Sequence, residues 1–158
     1  MSFQKIHFLS LRIREAGSLL FSDIDTNNAA SYFFVNAYSI SLTKQLDSYS
    51  EILIKNRRNF IDGKILQVLL NIKNQKKISN VQIRGTDFTR YIFENISEEN
   101  PIFILGGSRE NFNLLEKIFA NEYPNVKVNG SYFPPQHNDW NEYLNEAINL
   151  IQIGRAHV

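Results

Sequence analysis

The stretch Pro101–Gly130, "PIFILGGSRENFNLLEKIFANEYPNVKVNG", constrains this chain more than any other. An apolar run of strand length ends on a glycine pair. Ser108 then stands where a helix cap belongs, and Phe112, Leu115, Ile118 and Phe119 recur at helical spacing. "NVKVNG" follows as a second strand. A strand, a helix and a strand in this order form a parallel crossover, because antiparallel neighbours need only a hairpin. Parallel strands need helices over their faces, so the unit predicts an α/β domain.

The remainder of the chain fits the same plan. Residues 3 to 13 alternate in part and predict an early strand. Tyr32 to Val35 form a short apolar strand that ends on Asn36, and Ser39 to Leu46 carry apolar residues at helical spacing. "EILIKNRRNFIDGK" reads as a helical turn and then a strand ending near Ile61. Ile65 to Ile72 read as a helix buried on much of its surface, and "NIKNQKKISN" as a solvated connection. "GTDFTRYIFENI" opens a helix that Thr86 or Asp87 caps. A last helix opens on Asp139 and aligns Trp140, Tyr143, Leu144, Ala147, Ile148 and Ile151 on one face. The expected fold is a Rossmann-like open, mostly parallel sheet with flanking helices.

Composition narrows the function. At 158 residues the chain builds one domain with a real core, and 43% hydrophobic with 21% charged residues is ordinary for a globular protein. A net charge of +1 argues against nucleic acid, which selects a basic excess. With no cysteine there is no disulfide framework, thiol nucleophile or cysteine-ligated metal. No apolar run approaches the ~20 residues that span a bilayer. The first residues lack a signal-peptide pattern, because His7, Arg12, Arg14 and Glu15 interrupt them. A cytoplasmic location is expected.

Two places invite chemistry. In open α/β sheets ligands bind beyond the carboxyl ends of strands. Gly106 and Gly107 let the backbone approach a ligand, Ser108 opens a helix whose positive end faces it, and Arg109 adds a cation suited to phosphate. A plain tight turn accounts for the same glycines. The dinucleotide fingerprint G-x-G-x-x-G and the P-loop are both absent. Asp62 in "FIDGK" ends a strand before a glycine, which suits a general base or an ordinary Asp-Gly turn. His7, His137 and His157 are isolated, no metal-ligand spacing occurs, and no cofactor is implied.

The order of these pieces is more specific than any one of them. "FFVNAYSIS", "FIDGK", "RGTDF" and the Pro101–Gly130 unit together resemble the WecG/TagA/CpsF glycosyltransferases, glycosyltransferase family 26, over roughly residues 30 to 152. The family pattern places Asn36 at a strand end, Asp62-Gly63 as its D-G, Gly85-Thr86-Asp87 as its G-x-D and Gly106-Gly107 as its L-G-G. This chain departs from the pattern at Phe34 (often threonine), at Ile65 (often glycine) and at Gln82 (often arginine), with Arg84 close by.

The resemblance implies an inverting, metal-independent transfer of a sugar, such as N-acetylmannosamine, from a UDP-sugar donor. The acceptor it implies is a polyprenyl-diphosphate-linked sugar in cell-surface polysaccharide or teichoic acid synthesis. Asp62 is then the catalytic base. Asn36, Gly63, Arg84, Gly85, Asp87, Gly106, Gly107, Ser108 and Arg109 are the substrate-binding candidates. Self-association is left open.

The last six residues, "IGRAHV", read as one frame of a common sequencing adapter. Residues 1 to 152 are therefore expected to form a single glycosyltransferase-like domain. Residues 153 to 158 are expected to be a non-native tail without regular structure, in place of the family's last elements and its membrane-contacting C-terminal segment. A non-catalytic nucleotide-phosphate-binding module is the alternative reading. An interaction domain using its 13% aromatic residues on a surface is a third.

Overall fold

The computed structural model describes residues 5–73, 81–134 and 141–156. The chain divides into two compact units, Met1–Ile92 and Phe93–Val158. The elements run α1 (Ile13–Asp25), β1 (Phe33–Val35), α2 (Ala37–Leu42), α3 (Asp47–Lys55), β2 (Asn59–Ile61), α4 (Lys64–Lys73), α5 (Gly85–Asn95), β3 (Ile102–Leu105), α6 (Arg109–Glu122), β4 (Val128–Tyr132) and α7 (Asn141–Ala156). This is an α/β fold of the Rossmann-like type, with short parallel strands in open sheets.

In the first unit β1 and β2 pair in parallel, Phe33 opposite Asn59 and Val35 opposite Ile61. Side chains alternate across a strand, and the sequence uses both faces. Val35 and Ile61 enter one core with Leu53, Leu66 and Leu70, against which Ile40 packs. Phe60 enters the other with Ala16, Ile83 and Phe88, against which Phe34 and Tyr32 pack. Helices α2, α3 and α4 therefore cover one face, and α1 and α5 the other. The rings of Phe34, Phe60 and Phe88 pack with centroids 5.1–6.1 Å apart, Phe60 stacked on both others and Phe34 tilted against Phe88. Gly17 meets the Tyr91 ring where a Cβ would stand, which sets α1 close against α5.

On its far edge β2 is bonded by Leu9 N–H to Asn59 O (2.9 Å) and by Ile83 N–H to Ile61 O (2.9 Å), with a parallel bridge from Ile61 to Gln82. Among the described residues the expected early strand is not formed. The segment before α1 makes that one backbone–backbone hydrogen bond to β2 and then turns into the helix, because the rest of this edge is taken by residues 82 and 83. Asn59 is fully buried. Its Nδ2 donates to the carbonyls of His7, Leu53 and Asn56, and its Oδ1 accepts from Asn56 Nδ2.

In the second unit β3, α6 and β4 make the expected crossover, with β3 and β4 parallel. Phe112 and Phe119 are buried, and Phe93 packs edge-on to Phe119 at 4.9 Å. The register slips after Ile102, so that Phe103 faces Gly130. A Cβ at Gly130 would stand 2.6 Å from the Phe103 ring, so only glycine fits beneath it.

Three further expectations are corrected. Helix α4 buries Leu66 and Leu70 but turns Ile65, Val68, Leu69 and Ile72 outward, Ile65 being 69% exposed. Apolar periodicity spans an arc wider than the single face the sheet covers. Helix α5 begins at Gly85, so Thr86 and Asp87 lie in its first turn and do not cap it. Helix α7 continues to Ala156, so residues 153 to 156 are helical and the expected irregular tail is not observed there. Residues 74–80 of the predicted connection, and Asp139 and Trp140 of the last helix, lie outside the described residues.

Candidate active site

The carboxyl ends of β1 and β2 bring several predicted residues together. Asn36 follows β1 and caps α2, its Oδ1 accepting from Ser39 N–H (2.9 Å) and Ser39 Oγ (3.1 Å). Asp62 follows β2, and its backbone N–H donates to Val35 O (2.8 Å), which ties the two strand ends to each other. Its side chain is half-buried. Gly63 has φ +113°, a backbone conformation open to glycine, and a Cβ there would lie 3.9 Å from Asn36 Cβ. The Asp-Gly pair thus makes a sharp turn from β2 into α4 and leaves Asp62 and Asn36 on neighbouring strand ends.

The third predicted group adjoins this pair. One residue beyond the Ile61–Gln82 bridge, the chain reaches Ile83, then Arg84, Gly85 and Asp87. A Cβ built on Gly85 stands 3.4 Å from Phe34, so the helix start lies against β1's residue. Arg84 and Asp87 are exposed, and among the described residues neither forms an ion pair. They line a cavity of about 340 Å³ with Gln82, Ile83, Arg12 and Ile13. Arg12 was not anticipated from the sequence, where it only interrupts an apolar N-terminal run.

The remaining predicted residues belong to the second unit. Gly106 (φ +95°) and Gly107 (φ +81°) form the turn after β3, with Gly106 N–H donating to Tyr132 O (2.9 Å). A Cβ at either glycine would meet nothing within 4 Å, so positive φ is what requires glycine here. Ser108 caps α6 as expected, its Oγ accepting from Asn111 N–H at 3.2 Å. The Arg109 guanidinium lies over the Phe133 ring, 4.8 Å from its centroid, and beside Phe112. The aromatic ring fixes the cation at the mouth of the turn while leaving its N–H groups available to an anion.

The Glycosyl transferase WecG/TagA/CpsF family matches residues 1–157. The chain belongs to that family. It is therefore of the glycosyltransferase type, in a family of cell-surface polysaccharide synthesis. No curated protein matches the chain at a significant level. No helix among the described residues is long and apolar enough to cross a membrane, and none of their acidic or histidine side chains form a cluster fit to hold a metal ion.

A second polar cluster went unnoticed in the sequence and lies at the opposite end of the strands. Asp23, near the end of α1, is buried. It accepts from Tyr32 Oη, Asn28 Nδ2 (2.7 Å), Arg58 Nε (2.7 Å) and Arg58 Nη2 (2.6 Å). The Tyr32 hydrogen bond, with Arg58 and Asn28, holds the Asp23 carboxyl below its usual range against the opposing effect of burial. Burial, then the bond to Asp23, pushes the Tyr32 phenol up to about 12. The bond to Asp23 raises Arg58. Tyr32 and Arg58 immediately precede β1 and β2, so this cluster clamps the amino ends.

Proposed function

We propose that this protein transfers a sugar of the N-acetylmannosamine type from a UDP-sugar to a polyprenyl-diphosphate-linked acceptor. The setting is polysaccharide or teichoic acid synthesis at the inner face of the cytoplasmic membrane. The observation that carries this reading is the position of Asp62: a half-buried carboxylate at a strand's carboxyl end, tied by its own N–H to the neighbouring strand end that bears Asn36.

That placement supports the following reaction. An acceptor hydroxyl attacks the anomeric carbon in line with the departing pyrophosphate, inverting the configuration. As the C–O bond forms the hydroxyl becomes acidic, and Asp62 takes its proton. The bond to the UDP oxygen breaks, and the developing charge is met by N–H groups and cations. In the second unit, taken by itself, Gly106, Gly107 and Arg109 offer backbone donors and a guanidinium that match phosphate oxygens. Gly63 and Gly85 allow close backbone approach, and Asn36 offers a side-chain amide beside the base.

The test is a transfer assay with UDP-N-acetylmannosamine and a short-chain prenyl-diphosphate sugar acceptor. Asp62→Asn should retain UDP binding and lose transfer by about 10²-fold or more, the usual weight of a general base. Equal turnover by the variant would sink the mechanism.

A further inference from the structure

The cavity in the first unit has an unexpected construction. Arg12 and Arg84 are far apart in the chain but occupy the same local position. The Arg12 carbonyl accepts Ala16 N–H at 3.0 Å and opens α1; the Arg84 carbonyl accepts Phe88 N–H at 3.0 Å and opens α5. Both residues line the one cavity of about 340 Å³. Two arginines thus line one concave space, and the positive ends of two helices add to them. Against these stands one lining carboxylate, Asp87. Glu15 caps the same helix start, its Oε2 accepting Arg12 N–H at 2.6 Å, and does not itself line the cavity. The segment that brings Arg12 here is anchored independently, because Ser10 Oγ accepts Val81 N–H at 3.0 Å.

We propose that this cavity binds the diphosphate of the lipid-linked acceptor, with Arg12 and Arg84 as its paired cations. This rests on the reading of Asp62 as the base. The acceptor hydroxyl must lie at Asp62, and in a sugar diphosphate the anion is attached to the same ring as that hydroxyl. Its anionic group therefore belongs close to Asp62. Arg84 lies two residues past the Ile61–Gln82 bridge, and Asp62 one residue past it, on the two neighbouring segments that the bridge joins. The cavity volume falls in the range of small-ligand sites. Two guanidinium forks present enough planar donors for both phosphates, which single lysines do not. Asp87 keeps the lining from being a general polyanion sink and gives a sugar hydroxyl an acceptor.

The experiment is a set of calorimetric titrations of the whole chain with farnesyl diphosphate, farnesol, inorganic pyrophosphate and UDP. Wild-type protein should bind farnesyl diphosphate and pyrophosphate, and farnesol far more weakly. Arg12→Ala and Arg84→Ala should each weaken farnesyl diphosphate and pyrophosphate by about tenfold, as expected when a charge-assisted hydrogen bond is lost, and leave UDP affinity unchanged. Arg12→Lys should recover only part of the loss. Circular dichroism confirms that each variant is folded, and the two variants check each other. A loss confined to UDP would reassign the cavity to the donor and overturn the proposal, as would unchanged binding of every ligand or equal binding of farnesol. These binding results are separate from the Asp62→Asn assay. If farnesyl diphosphate depends on Arg12 but no sugar is transferred, the transferase reading fails and the diphosphate site stands. If Asp62→Asn abolishes transfer while Arg12→Ala binds normally, the reverse holds.

Discussion

The two ends of the β1–β2 pair treat polar groups in opposite ways. At the amino end, Asp23, Tyr32 and Arg58 are bonded to each other, and the carboxylate accepts four hydrogen bonds from protein donors. At the carboxyl end, Asn36, Arg84 and Asp87 are exposed and Asp62 is half-buried. One end spends its charges on holding the fold; the other leaves them available to a ligand. The contrast teaches which acidic residue to suspect. Asp23 has the shifted carboxyl and deeper burial, yet its partners already occupy it. A perturbed carboxyl marks a structural ion pair as readily as a reactive group.

The strongest way to break this contrast is to remove Asp23. Asp23→Ala leaves Arg58 and Tyr32 without their acceptor in a nearly buried setting and is expected to destabilise the protein by about 3 kcal/mol or more, measured by urea unfolding. Asp62→Asn, by contrast, should change unfolding free energy by less than about 0.5 kcal/mol, although it removes transfer. Similar losses of stability from both variants would erase the distinction between the ends.

pH sharpens the same point. The folded Asp23 pKa lies below its unfolded value of 3.8, so its contribution is complete above that pH and is lost as pH falls through the folded value. Tyr32 moves the other way. Its folded pKa of about 12 exceeds the ordinary 10.0, so the stability it adds is complete below pH 10 and drains away as pH rises toward 12. Tyr32→Phe should flatten that alkaline loss. Tyr132 in the second unit, raised to about 12 chiefly by its bond to Glu146, adds little to that loss because the pair is exposed and screened by solvent. An unchanged alkaline profile in Tyr32→Phe would remove the tyrosine from the clamp.

The smallest effect concerns the cap. Asn36→Ala loses the bonds to Ser39 and should cost about 1 kcal/mol, whereas Asn36→Asp keeps an acceptor oxygen and should cost less. If Asn36→Ala proves neutral in unfolding but lowers transfer, the side chain serves a ligand more than the helix.

Much of this was legible along the chain. The strand after Ser31, the strand ending at Ile61, the glycine turn at 106–107 and the Ser108 cap are local features. They follow from apolar runs and from glycine or serine at positions where backbone geometry demands them. The order of Asn36, Asp62, Gly85 and the glycine pair identified the family, because such an order survives when individual positions vary. Other features depended on tertiary structure. Periodicity in α4 cannot tell which part of a wide apolar arc the sheet will cover, so Ile65 and Ile72 were placed inward. The segment before α1 alternates like a strand, but β2's edge had too little free hydrogen-bonding surface left to pair with it. Asp23 joins Arg58 across 35 positions of sequence, and Arg12 meets Arg84 at one cavity from two different helix starts. No local pattern encodes such meetings. They arise when strands align in parallel and bring distant helix ends to the same edge of a sheet.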